Sequence, residues 1–263
     1  MKRTTLLLAV LFVLGFTLDT LAQSKSREQM IEEIAAKRKE LDSLEQEFLD
    51  VSDADRTTFA QLLGQPNTGL IRLLPREKFD SEGYKKERKT ITMRGGGAYY
   101  SFVRLTHEYG YGSDISLDHD TIQVGFAGFD YGMVVRVSDL SLETLSAESP
   151  AAKTLMVYQP AKLEPEIRRE QRRFGEGTVI DGINLKRTLP VEVGATYLLR
   201  SISYDESDVL VGLQVVHKDS DGSVVIAWKL LNKFPTPKAV RNKEEIIGSL
   251  LKLDINRLNT GSL

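Results

Sequence analysis

Residues 197–231 limit the fold of this chain more than any other stretch, because three strand-like runs follow one another there with only short turns between them. Residues 197–204, 209–217 and 223–231 are rich in β-branched, aliphatic and aromatic side chains. The linkers Asp205-Glu206-Ser207-Asp208 and Lys218-Asp219-Ser220-Asp221-Gly222 are turn-forming, and Asp-Gly between two β-runs is a hairpin signal. An antiparallel meander is predicted, closed by Pro235 and Pro237. Asp219-Ser220-Asp221-Gly222 does not extend to a calcium loop. Counted from Gly222, the first and last ligand positions hold His217 and Trp228.

Upstream, the same vocabulary recurs at 90–94, 99–105, 115–117, 121–126, 133–137, 178–180 and 183–193, with a helix predicted near 163–174. Four arginines and three glutamates share that helix, which is basic on one side: it reads either as a face for an anionic surface or, more plainly, as a set of intrahelical ion pairs. Gly97-Ala98-Tyr99-Tyr100 leading to Arg104 and Asp114 shares its order of residues with Gly194-Ala195-Thr196-Tyr197 leading to Arg200 and Asp208. Two readings stand: related β-units at 97–117 and 194–211, each presenting an arginine and a Ser-Asp loop at an edge, or mere recurrence of strand and turn residues.

Before residue 66 the pattern is helical. Met30, Ile34, Lys37, Leu41, Leu44, Phe48 and Val51 step by four and three, which aligns them in one seam with Lys37 as the polar intruder. Such a seam either packs on the chain's own body or pairs chains as a short coiled coil, so oligomerisation through residues 27–51 is one expectation. Ser52 with Asp55 three residues on opens a second short helix carrying Phe59, Leu62 and Leu63. The expected organisation is a helical arm at 23–65, a β-rich body at 66–240 and a C-terminal helix at 241–263.

Residues 1–22 have the three parts of a secretory signal. Lys2 and Arg3 give the basic end, an eleven-residue run from Leu6 to Phe16 the apolar centre, and Thr20-Leu21-Ala22 the small-x-small exit. As a helix that run rises only about 16 Å, too little for a hydrocarbon core of about 30 Å. Cleavage near Ala22 and export, to a periplasm, the cell surface or the medium, are therefore expected, with no membrane span in the mature chain. The chain has no cysteine, which excludes disulfides, thiolate catalysis and cysteine-ligated metals. An exported protein built this way relies on its packed core and on covered sheet edges. With 35 basic against 37 acidic side chains, no excess of positive charge points to nucleic acid.

The densest group of chemically useful side chains lies at 106–120. His107, Glu108, Asp114 and His119 are the candidate acid/base residues. His107, Glu108, His119 and Asp120 are the candidate ligands for a divalent metal, because imidazole and carboxylate are the ligand set of zinc, manganese and iron sites. Their spacing matches no established ligand motif, and no cofactor is predicted from it. Tyr109 and Tyr111, spaced by single glycines, are candidates for stacking on a glycan or a protein, with Arg104 and Arg200 as companion binding residues. Arg94-Gly95-Gly96-Gly97 lacks the lysine and the helix of a phosphate loop, and Gly125 to Gly132 reads as a hairpin connection.

These readings combine into an α+β, mainly β protein: an antiparallel meander, sandwich or partly open barrel with an N-terminal helical arm and a C-terminal helix. Its expected role is an exported, non-enzymatic binding or interaction module, with a partner protein or glycan meeting the tyrosine-rich loop or the arm. The alternative is a secreted hydrolase, metal-dependent or acid/base, centred on His107, Glu108, Asp114 and His119.

Overall fold

A computed structural model describes residues 25–79, 97–107, 109–110, 112–126, 128–137 and 141–240. The expected signal at 1–22, the strand at 90–94, Arg94, Gly95 and Gly96, and the helix at 241–263 lie outside these residues, as do Glu108 and Tyr111. The chain divides into two units after Glu47.

The first unit holds most of α1 (Arg27–Leu49). Ser26 and Gln29 start this helix as a reciprocal cap: the Gln29 amide donates to Ser26 Oγ at 3.2 Å, and the Ser26 amide donates to Gln29 Oε1 at 3.0 Å. Met30, Ile34, Leu41, Leu44 and Phe48, the apolar members of the seam that lie on α1, are all exposed, Ile34 by 53% and Leu44 by 57%, whereas Val51, beyond the end of the helix, is buried. Among the described residues no helix is long and apolar enough to cross a membrane.

The second unit opens with Leu49 and Val51, both buried, and continues through α2 (Asp53–Thr58), α3 (Ala60–Leu63), β1 (Thr68–Leu73) and α4 (Arg76–Phe79). Ser52 caps α2 as predicted, its side chain accepting from the Asp55 amide at 3.1 Å. Next come β2 (Tyr99–Tyr100), β3 (Ile115–Asp118), β4 (Thr121–Gln123), β5 (Tyr131–Arg136), α5 (Pro150–Val157) and α6 (Glu164–Glu176). Last are β6 (Thr178–Ile180), β7 (Ile183–Leu185), β8 (Thr188–Pro190), β9 (Thr196–Ser203), β10 (Ser207–Lys218) and β11 (Val224–Lys233).

The predicted meander is β9-β10-β11, and it forms the middle of an antiparallel five-stranded sheet with the order β1-β11-β10-β9-β5. β1 extends it by pairing Leu70 with Ala227 and Leu73 with Val224, and β5 flanks it by pairing Tyr131 with Ile202. A four-stranded antiparallel sheet, β2-β3-β4-β8, and the small β6-β7 hairpin complete the described strands, and the sheets stay open rather than closing into a barrel.

Both faces of the five-stranded sheet are covered. Tyr197 and Leu199 of β9 and the odd-numbered residues Val209 to Val215 of β10 join Ile115, Leu117 and Ile122 of the smaller sheet in one core. Leu198, Ile202 and Leu210, on the opposite pleat, join Leu62, Leu142, Leu145, Leu155, Ile167 and Phe174 in a second core under the helices. This layering explains why all eight residues of β9 are buried. Gly212 fits the second core closely: a Cβ there would stand 2.5 Å from Leu145 Cδ2.

Candidate functional site

Most of the side chains singled out at 104–120 are bound into the fold. His107 Nε2 donates to the Arg72 carbonyl at 2.9 Å, and its ring meets Tyr100 edge-on at 4.9 Å between centroids. Burial holds its pKa down to about 4, so the imidazole is neutral at physiological pH. Asp114 is fully buried and accepts from the Phe102 amide at 2.8 Å. Burial pushes its carboxyl up to about 7, against the pull of hydrogen bonds from Ser201, the Phe102 amide and Ser101, and nearby Asp130 adds to the rise.

The four residues of β3 lie between Asp114 and His119, which therefore sit at opposite ends of the strand. His119 sits in the β3–β4 turn with φ of 52°, where its amide donates to Glu77 Oε2 and its Nδ1 lies 3.0 Å from Asp118 Oδ1. Among the described residues, Glu77, Asp118 and His119 are the one group of three ligand-type side chains within 4.8 Å of one another. His107 and Asp120 are not in it. Asp120 instead pairs with Lys218 at 2.6 Å. The sequence pointed to His119 but not to Glu77, which α4 brings in from 42 residues away.

Of the expected binding residues, Tyr109 is half-buried with its ring 4.6 Å from Tyr99. Arg104 is exposed and forms an ion pair with Glu206. Arg200 is only 1% exposed: it holds Asp208 in a two-point pair and donates to the carbonyls of Leu155 and Tyr158 at 2.5 and 2.7 Å. The guanidinium thus serves the end of α5. The two arginines of the similar segments therefore occupy unlike environments.

A different concavity lies beside α6. It is a cleft of ≈ 420 Å³ formed by the loop after β4, by α6 and by Arg187. Three guanidinium groups, Arg168, Arg172 and Arg187, line it together with Phe126, Asp130 and Glu176. Local bonds fix its walls. The Arg187 amide donates to the Phe174 carbonyl at 2.7 Å, and the Arg187 carbonyl accepts from the Val124 amide at 3.1 Å, so the residue is stitched between helix and loop. Gln171 Nε2 donates to the carbonyls of Gly128 and Asp130 at 3.0 and 2.9 Å and holds the loop against α6. Gly125 turns the loop at φ of 76°, where a Cβ would stand 2.6 Å from Tyr131 Cα.

The arginines of the cleft differ in what they are bound to. Arg168 is paired with Glu164 at 3.1 Å and lies 5.0 Å over the Phe129 ring. Arg187 Nε is buried and has no hydrogen-bond partner among the described residues, and burial lowers the pKa of the group. The basic character of α6 was visible in the sequence. The arrival of Arg187 from the β7–β8 connection was not, because it depends on two backbone hydrogen bonds. Comparison with known proteins adds no relative: no family model, curated protein or solved structure matches the chain.

Proposed function

We propose that the protein is an exported, non-enzymatic interaction module that associates with a second copy of itself through the seam of α1. One observation carries this reading: five large apolar side chains recur at heptad spacing on the helix and are exposed to solvent. With Ile34, Leu41 and Phe48 at the a positions, Met30, Lys37 and Leu44 fall at d. Glu33, Glu40 and Glu47 fall at g.

The charges favour a parallel pair. Side by side and in register, Glu33 of one helix faces Arg38 of the other on both flanks, while Glu40 opposes Glu45. Turned antiparallel, Glu40 faces Glu40, Arg38 faces Arg38, and Glu33 meets Glu47, with no opposite-charge pair to offset them. Lys37 at a core position lowers stability but fixes register. Covering half-exposed side chains of this size contributes about 1 kcal/mol each. Association consumes most of that sum. The dimer is therefore weak and depends on concentration.

Among the described candidates for a hydrolase centre, His107 and Asp114 serve the core, and β3 holds His119 away from Asp114. The leader-like residues 1–22 support export. Light scattering across a concentration series tests the reading. The intact chain is expected to approach twice its monomer mass, and the chain with Leu41→Glu and Leu44→Glu to stay at one. Because both side chains are exposed, these changes leave the body folded. A single-chain mass at all concentrations for both proteins would sink the proposal.

A further inference from the structure

We infer that the cleft beside α6 is a binding site for a small hydroxylated organic anion, such as a sugar phosphate or sugar acid. The inference stands on residues of the body alone and goes beyond the self-association of α1. Its volume of ≈ 420 Å³ is within the range of small-molecule sites, about 300–1,000 Å³. Arg187 is the central observation. It lines the cleft, and its guanidinium makes no ion pair among the described residues. A carboxylate or phosphate in the cleft supplies the counter-ion, and the planar guanidinium is suited to take such a group at two points.

Arg172 lines the same space and makes no ion pair among the described residues, so its charge is available to the same anion. Arg168, neutralised by Glu164, contributes less. Asp130 and Glu176 also line the cleft, and they set the rest of the ligand's chemistry. Carboxylates repel a ligand that is anionic throughout, but they accept hydrogen bonds from hydroxyl groups. The half-buried Phe126 ring offers a flat face for the C–H side of a sugar. An anionic head toward Arg172 and Arg187, with hydroxyls toward Asp130 and Glu176, satisfies both halves of the lining.

Titration calorimetry on the full chain tests the assignment with four probes: glucose 6-phosphate, glucuronate, glucose and inorganic phosphate. One or both of the sugar anions are expected to bind, and glucose to bind at least tenfold more weakly. Arg187→Gln and Arg172→Gln should each weaken binding by tenfold or more. Gly175→Leu gives a control that leaves the arginines in place, because Gly175 lines the cleft and a Cβ there meets nothing within 4 Å. It should block binding while the circular dichroism spectrum and melting temperature stay close to those of the parent. No binding of either sugar anion at 10 mM, or binding unchanged in Gly175→Leu, overturns the inference. Inorganic phosphate binding as tightly as glucose 6-phosphate would overturn the hydroxylated class of ligand.

Discussion

Arg200 and Asp208 face each other across the β9–β10 hairpin in a two-point ion pair, Nε to Oδ1 at 2.8 Å and Nη2 to Oδ2 at 2.7 Å, with both side chains almost fully buried. The guanidinium also carries the Phe234 ring 3.7 Å from its central carbon. Burial pushes the Asp208 carboxyl up more strongly than Arg200 draws it down. The pair is thus a device for fixing the packing of α5 on the sheet more than a source of net stability. Arg200→Met leaves a buried carboxylate and two helix-end carbonyls without their donor. Urea unfolding should show a loss of about 3–5 kcal/mol. In a double-mutant cycle with Asp208→Leu, the two losses should not add, since the second change removes the orphaned carboxylate. A loss below about 1 kcal/mol for Arg200→Met would contradict this role.

Asp114 and His107 should pull stability in opposite directions over one pH window. The Asp114 carboxyl is raised from 3.8 to about 7, so its contribution is fully present below its unfolded pKa and is lost as pH rises through about 7. The His107 imidazole is lowered from 6.5 to about 4, so its contribution is present above its unfolded pKa and is lost as pH falls through about 4. Each slope approaches about 1.4 kcal/mol per pH unit. Compared with the parent between pH 4 and 7, Asp114→Asn should gain stability as pH rises, and His107→Gln should gain it as pH falls. Parallel curves for parent and variants would show that neither group titrates as described.

The loop that walls the cleft should depend on Gly125 more than on Gly128. Both have positive φ, 76° and 54°, but only at Gly125 does a Cβ collide with backbone, at 2.6 Å from Tyr131 Cα. Gly128→Ala is expected to cost about 1 kcal/mol from conformation alone. Gly125→Ala should cost clearly more, because the strand that follows it must shift. Equal melting temperatures for the two variants would contradict the close approach.

What the sequence made legible was local. The β9-β10-β11 meander and the Ser52 cap are written in adjacent residues, where turn chemistry and capping act over a few positions, and the helix near 163–174 appears as α6. Non-local pairing was less accessible. The run 70–74, ended by Pro75, reads as a short strand and becomes β1, but nothing near Leu70 announces Ala227 as its partner. The predicted strand at 99–105 shortens to Tyr99–Tyr100, because Leu105 takes a positive φ of 55° and Ser101 bridges back to Thr106. The run at 183–193 divides into β7 and β8, which serve different sheets. α5 carries no clear helical period over its eight residues and went unpredicted. Arg200 read as an edge residue because the helical layer that covers β9 is assembled from distant segments.

The absence of cysteine allows the central proposal to be tested by crosslinking. A single cysteine introduced at Leu41 lies in the a-position core, where a parallel, in-register pair brings the two copies close enough for a disulfide. One introduced at Lys39 lies on the outer face. Under mild oxidation, Leu41→Cys is expected to convert to a covalent dimer readily, and Lys39→Cys to do so only slowly. Equal rates at the two positions, or no dimer at Leu41→Cys, would contradict pairing through this seam.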